Sequence, residues 1–179
     1  MPPVALTGTP GTGKSTVAGR LAPDLTMIEV GELALRLGTG RRRGRSFTVD
    51  LPATVRALRR CPPIAEDLVV GHLAHLLPFR DAVVLRCHPR ELAHRLARAR
   101  RGTARERRAN LVAEATDMVL VEAVELKRRV WEVDTTGRTP SAVAQEVAAR
   151  LARKGRSSYG TVDWLADAWV SEHLLDWSP

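Results

Sequence analysis

A doubly wound α/β fold on a parallel sheet is what this sequence predicts, and three features predict it. Short apolar segments at residues 4–6, 27–30, 68–70, 82–86 and 131–134 recur with helix-patterned stretches between them, the alternation of a parallel sheet. Runs such as Ala82-Val83-Val84-Leu85 are apolar at every position, as strands are when helices cover both faces. Directly after the first apolar segment, Gly8-Thr9-Pro10-Gly11-Thr12-Gly13-Lys14-Ser15-Thr16 fits the pattern G-x-x-x-x-G-K-[ST].

That nine-residue run carries chemistry. A polyphosphate needs backbone N–H groups at close range, and glycine lets the chain wrap tightly while opening a helix whose N-terminus favours negative charge. Gly11 and Gly13 shape the turn, Lys14 reaches the β- and γ-phosphates, Ser15 offers its hydroxyl to Mg²⁺, and Thr16 adds a contact near the phosphates. A chance Gly/Thr-rich turn is the competing reading. The strand before the run and the helix-forming stretch 17–21 after it favour the functional one.

The remaining elements follow in order. Residues 38–46 lack apolar periodicity and are rich in Gly and Arg, which predicts a loop open to solvent or ligand. Helices are expected over 90–104, 111–129 and 141–153, the last capped by Thr139 with Pro140 in its first turn. Residues 155–160 read as a linker, and the segment after it holds Trp164, Trp169 and Trp177 at roughly helical spacing. Such a stripe is more often core or docking surface than a platform for bases. A doubly wound sheet binds its ligand at the carboxyl ends of the strands, beside the glycine-rich loop.

The 179 residues suffice for one α/β domain, expected here to span the whole chain. No apolar run approaches a membrane span, and Met1-Pro2-Pro3 leads straight into the first strand, so the expected location is cytoplasmic. Cys61 and Cys87 stand apart from each other, which indicates neither a disulfide scaffold nor a zinc site. The formal charge of +8 comes almost wholly from arginine, concentrated at 41–45 and 95–108. Such a field attracts nucleotides, RNA or proteins that live on RNA, although solvated surface arginine explains it too. Gly beside Arg in those clusters suggests mobile loops.

Taken together, Gly8 to Thr16, Val30-Gly31-Glu32-Leu33-Ala34, Gly71-His72-Leu73-Ala74-His75-Leu76-Leu77-Pro78, Leu85-Arg86-Cys87-His88-Pro89 and Asp134-Thr135-Thr136 resemble the adenylate kinase isoenzyme 6 family. That family comprises the coilin-interacting nuclear ATPase and its archaeal relatives, and this sequence resembles the archaeal branch over roughly residues 1–153. The resemblance implies a P-loop nucleoside triphosphate hydrolase fold of the nucleoside monophosphate kinase type, with a five-stranded parallel sheet and helices on both faces. It implies phosphoryl transfer from ATP to AMP, ATPase activity, and help in small ribosomal subunit maturation through a ribosomal protein, with rRNA contact as a further expectation. ATP and Mg²⁺ are the implied cofactors, and Gly11, Gly13, Lys14, Ser15 and Thr16 the residues holding them. By the same resemblance the AMP segment falls on about 29–50 and the lid on about 100–110. Arg101 becomes the lid arginine, and Arg138 lies where this fold often meets adenine, a solvated loop arginine being its simpler reading. His72 aligns with a histidine of the Walker-B-like segment, leaving catalysis and packing both open for it, while His75 reads as structural.

The sequence departs from the family at Val70, where an acidic residue usually orients water on Mg²⁺. Asp67 or Asp134 are the candidates to substitute, or Ser15, phosphates and water suffice. Thr103 replaces an aromatic residue in the lid, and Ala109-Asn110 replaces a Glu-Asn pair. Asp50 either orients an arginine of the AMP pocket or caps the helix after it, capping being the simpler role. Two competing functions stay in view. One is a small-molecule kinase of the same fold, the other a nucleotide-gated binding module with little turnover.

Overall fold

The computed structural model describes residues 3–44, 46–60, 64–100, 102–153 and 155–177. Five parallel strands form the main sheet: β1 (Val4–Thr7), β2 (Met27–Glu29), β5 (Leu68–Val70), β6 (Asp81–Arg86) and β7 (Arg129–Asp134), in the order β2-β5-β1-β6-β7. β3 (Gly40–Arg43) and β4 (Ser46–Val49) form a separate antiparallel pair. The helices are α1 (Lys14–Leu21), α2 (Val30–Arg36), α3 (Leu51–Arg60), α4 (Pro89–Arg98), α5 (Ala104–Ala115), α6 (Met118–Leu126), α7 (Pro140–Arg153) and α8 (Ala168–Trp177).

The strands of the main sheet are mostly apolar because each supplies both faces, and the charged residues are at strand ends except Glu132 inside β7. Val4, Leu6, Leu68, Val70, Val83, Leu85, Trp131 and Val133 pack under α1 and α7, against Val17, Leu21, Val143, Val147 and Leu151. On the other face Ala5, Val69 and Ala82 meet Val30, Leu33 and Leu77, while Val84 and Val130 meet Leu120 and Ala123. Successive residues of one strand thus enter opposite cores, the period-2 partition of a pleated strand. Every predicted strand is present, within three residues of its expected ends.

Several expectations are corrected. Residues 38–46 are not an open loop: 40–43 pair with 46–49, setting Arg42 opposite Phe47 with its guanidinium 5.8 Å from the ring. A strand whose side chains all face water shows no apolar alternation, which is why composition hid it. The helix expected over 90–104 stops at Arg98, where Arg100 and Gly102 take positive φ of 48° and 71°. The helix expected over 111–129 is two helices, broken at Asp117 with φ 57°. Residues 155–160 are not a free linker either. Ser158 N donates to Val130 O at 2.9 Å and Glu132 N donates to Ser158 O at 2.8 Å, so the segment lies along the β7 edge.

The tryptophan-bearing segment is core. Trp177, Val170, Leu92, Leu96, Leu111 and Cys87 form one cluster joining α4, α5 and α8, with Trp164 and Trp169 packed against it. Among the described residues no helix is long and apolar enough to cross a membrane.

Candidate nucleotide-binding site

The loop between β1 and α1 stands at the carboxyl edge of the central strand. Gly11 and Gly13 both adopt φ 98°, a left-handed conformation that other residues resist. A Cβ on Gly11 would lie 2.7 Å from Leu92 Cδ1, so α4 as well as the turn demands glycine there. Thr12 N donates to Thr9 O at 3.2 Å, and Thr12 Oγ1 donates to the same oxygen at 3.0 Å, closing the ring of the loop. Lys14 folds back over it, its Nζ donating to Gly8 O at 2.7 Å and Thr9 O at 2.9 Å.

α1 begins with Gly13 in the N-cap position and no side-chain cap, so its first-turn N–H groups are left to the loop. Thr9 Oγ1 is buried and has no hydrogen-bond partner among the described residues, a costly state in a polar loop unless a ligand meets it. Uncapped amides, an ammonium and an orphan hydroxyl together fit a polyphosphate. Ser15 and Thr16 are exposed in the first turn of α1. The Ser15 hydroxyl is a hard oxygen donor of the kind Mg²⁺ takes, so the residues present fit the ion. Ser15 Oγ also donates to Glu29 Oε1 at 3.3 Å, across from the end of β2.

His72 lies exposed in the turn after β5, not on the helical turn that carries His75. Crowding by the surrounding chain, then the charge of Lys14 and of His75, lower its pKa from the ordinary histidine value. His75 is buried between two partners: its Nδ1 lies 2.8 Å from Thr7 Oγ1 and its Nε2 lies 2.8 Å from Glu122 Oε2. Burial lowers its pKa despite Glu122. His75 therefore ties α6 to the last residue of β1.

Neither proposed substitute for the acid absent at Val70 faces the loop freely. Asp67 sits at the amino ends of the strands, where Oδ2 accepts from Thr26 N at 3.0 Å and Thr26 Oγ1 at 2.8 Å. Asp134 Oδ1 accepts from Thr136 N and Oγ1 at 2.9 and 2.6 Å, which fixes the turn after β7. Arg138 lies in that same turn, its Nη1 donating to Asp134 O at 2.9 Å and Glu146 Oε2 at 2.7 Å. Arg101 lies outside the described residues. The rest of the lid segment is more ordered than arginine and glycine suggested. Thr103 Oγ1 accepts from Glu106 N at 3.2 Å and Glu106 Oε2 accepts from Thr103 N at 2.6 Å, a capping box that starts α5. Asp50 caps α3, accepting from Ala53 N at 2.9 Å.

Two arginines that the motif and the charge cluster left without a role hold the site's frame. Arg95 of α4 donates to Thr135 Oγ1 and Thr135 O, both at 2.9 Å, and reaches Thr12 O at 3.5 Å, joining α4 and the end of β7 to the loop. The turn Glu91-x-x-x-Arg95, an i, i+4 pair, was its available signal. Arg86 is fully buried, with Glu114 and Glu132 each at 2.8 Å and Asp117 also bonded. Burial alone would depress the guanidinium; Glu114 and Asp117 outweigh it and hold the pKa above the usual arginine value. Beside it, burial pushes the Cys87 thiol up to about 12, which makes it inert as a nucleophile.

A parallel sheet with a glycine-rich loop at the carboxyl end of its central strand, and helices on both faces, defines a P-loop protein of the nucleoside monophosphate kinase type. Residues 4–117 match the family model described as AAA domain. A protein of Halobacterium salinarum is 44% identical over 170 residues, covering 90% of this chain and 96% of its own. One of Natronomonas pharaonis is 40% identical over 96% of this chain and 99% of its own, and one of Thermococcus onnurineus 37% identical over 90% of each. All three carry the name "Putative adenylate kinase". The chain belongs to this family, the archaeal branch of the isoenzyme 6 type that its motifs resemble.

Proposed function

We propose that this chain is an ATP:AMP phosphotransferase acting as one P-loop kinase domain over residues 1–179. The observation that carries the reading is the placement of two segments on one sheet edge. The phosphate loop ends β1, and the arm of α2 with the β3–β4 pair follows directly from β2, within hydrogen-bond reach of the loop through Ser15 and Glu29. A donor held on the loop and an acceptor held by the arm then meet over the carboxyl ends of the strands.

Phosphoryl transfer asks little covalent work of the protein, so rate comes from alignment and from positive charge around the migrating group. The amides of α1 and the loop bind the phosphates, and Lys14 exchanges its carbonyl partners for β- and γ-phosphate oxygens. Magnesium, when bound, neutralises phosphate charge, and Ser15 is the residue that would hold it. Neutral His72 accepts a hydrogen bond at the mouth, while Arg101 and Arg138 add charge at the lid and at the base. Hydrolysis of ATP follows wherever water takes the acceptor position. On the resemblance described above, the same cycle would serve small ribosomal subunit maturation by releasing a ribosomal protein or rRNA.

The test is ADP formation from ATP with magnesium, comparing AMP, CMP and no acceptor. AMP should yield two ADP per turnover, and Lys14→Ala should lower that rate by about 100-fold or more. A rate indifferent to acceptor would leave an ATPase and overturn the kinase reading. The valine at the end of β5 favours one second reading, a nucleotide-gated binding module. It predicts tight ADP binding with negligible turnover under every acceptor.

A further inference from the structure

The phosphate loop of this protein faces an apolar strand end. β5 is the neighbour of β1; its last residue Val70 pairs in register with Leu6 and packs in one core with Val17 and Ala18 of α1, the helix whose first turn carries Ser15. One strand further out, Glu29 closes β2 at the same level, paired in register with Val70. Glu29 also occupies the N-cap position of α2, yet its carboxylate makes no cap bond there. It instead accepts from the Ser15 hydroxyl at 3.3 Å.

We propose that Glu29 is the positioning carboxylate of the magnesium side of this site, supplied by the neighbouring strand because β5 ends in valine. The inference rests on the phosphotransferase reading above. When the Ser15 hydroxyl donates its hydrogen bond to Glu29, its oxygen lone pairs stay free of that bond and are the more basic for it, which suits a hard cation. Two other carboxylates near the carboxyl ends of the strands are engaged elsewhere: Asp134 with Thr136, Glu91 with Arg95 and Gly137 N. Because Glu29 leads straight into α2, the acceptor arm and the metal side share one residue.

The experiment measures ADP affinity by calorimetry in EDTA and in Mg²⁺, and Mn²⁺ binding to the ADP complex by electron paramagnetic resonance. In Glu29→Gln the affinity in EDTA should stay within twofold of the parent, while the gain on adding Mg²⁺ falls and half-saturation by Mn²⁺ rises about tenfold, which is about 1.4 kcal/mol. Adding Glu29→Gln to Ser15→Ala should change metal binding no further, since the carboxylate acts through that hydroxyl. Glu29→Gln with Val70→Asp should recover most of the Mn²⁺ affinity. Unchanged metal binding in Glu29→Gln, or full additivity with Ser15→Ala, overturns the proposal while ADP binding leaves the kinase reading standing. Absence of ADP binding by the parent in either buffer overturns the kinase reading itself.

Discussion

Arg86 shows how much one buried charge decides. Its guanidinium serves Glu114 of α5, Glu132 of β7 and Asp117 at the α5–α6 break, and those carboxylates serve others in turn. Glu114 Oε1 accepts from Cys87 N at 3.0 Å and Trp164 Nε1 at 3.3 Å, and Glu132 Oε2 accepts from Thr161 N at 2.9 Å. Removing the cation leaves buried carboxylates unpaired, so Arg86→Leu should cost about 3–5 kcal/mol in urea unfolding, against near neutrality had the partners been replaced too. Gly11→Ala acts at the same scale by geometry alone. Positive φ strains any Cβ, and this one meets Leu92; a loss of about 1–3 kcal/mol is expected, with weaker ADP binding in calorimetry because the loop must open to relieve it.

Elements differ in how far their residues announce them. The buried parallel strands were legible because burial on both faces leaves an apolar run, and the loop was legible because Gly11, Gly13 and Lys14 each answer a phosphate directly. β3 was hidden since Arg41, Arg42 and Arg43 carry no apolar pattern, and the break at Asp117 was hidden since its cause, the carboxylate drawn to Arg86, is distant in sequence. Spacing along the chain points to Asp67 and Asp134 for the acid near Ser15, whereas Glu29 stands on β2: strand order, not spacing, decides which residue arrives there. α8 makes the same point for the tail. Its Trp169 stacks on His173 at 4.4 Å and leans on Trp177, while Leu175 points to water at 84% exposure. Trp177→Ala should therefore cost about 3 kcal/mol and Leu175→Ala less than about 0.5 kcal/mol, both read from denaturant midpoints. Equal effects would mean that α8 does not pack on α4 and α5 through its tryptophan face.

At the scale of the molecule, pH sums these environments. His72 and His75 are both held below the ordinary histidine pKa of 6.5, so the unfolded chain binds protons that the fold refuses. Stability then rises with pH in the window between the depressed folded values and 6.5, and it falls on acidification through 6.5. The slope is at most about 1.4 kcal/mol per pH unit for the buried His75, and smaller for the exposed His72, which solvent screens. Above that window neither histidine contributes. A second loss begins at lower pH from groups of the opposite kind: Glu66, held below its ordinary 4.5 by the Arg36 hydrogen bond, and Asp67, held below 3.8 by Thr26, favour the fold only while ionised. Their contribution is complete above the unfolded values and disappears as pH drops through the folded ones, though both are solvent-screened and small. Unfolding free energy from urea titrations should accordingly show two descending limbs on acidification, and between pH 7 and 8 a shallower rise with pH, because burial pushes Lys127 down to about 8 and the fold sheds that proton before the unfolded chain does. His75→Gln keeps a partner for Thr7 or Glu122 but cannot titrate, so it should lower stability near pH 7 while flattening the upper limb. If the upper limb keeps its full slope in both His75→Gln and His72→Asn, the histidines are not its source, and the crowded surroundings assigned to them are wrong.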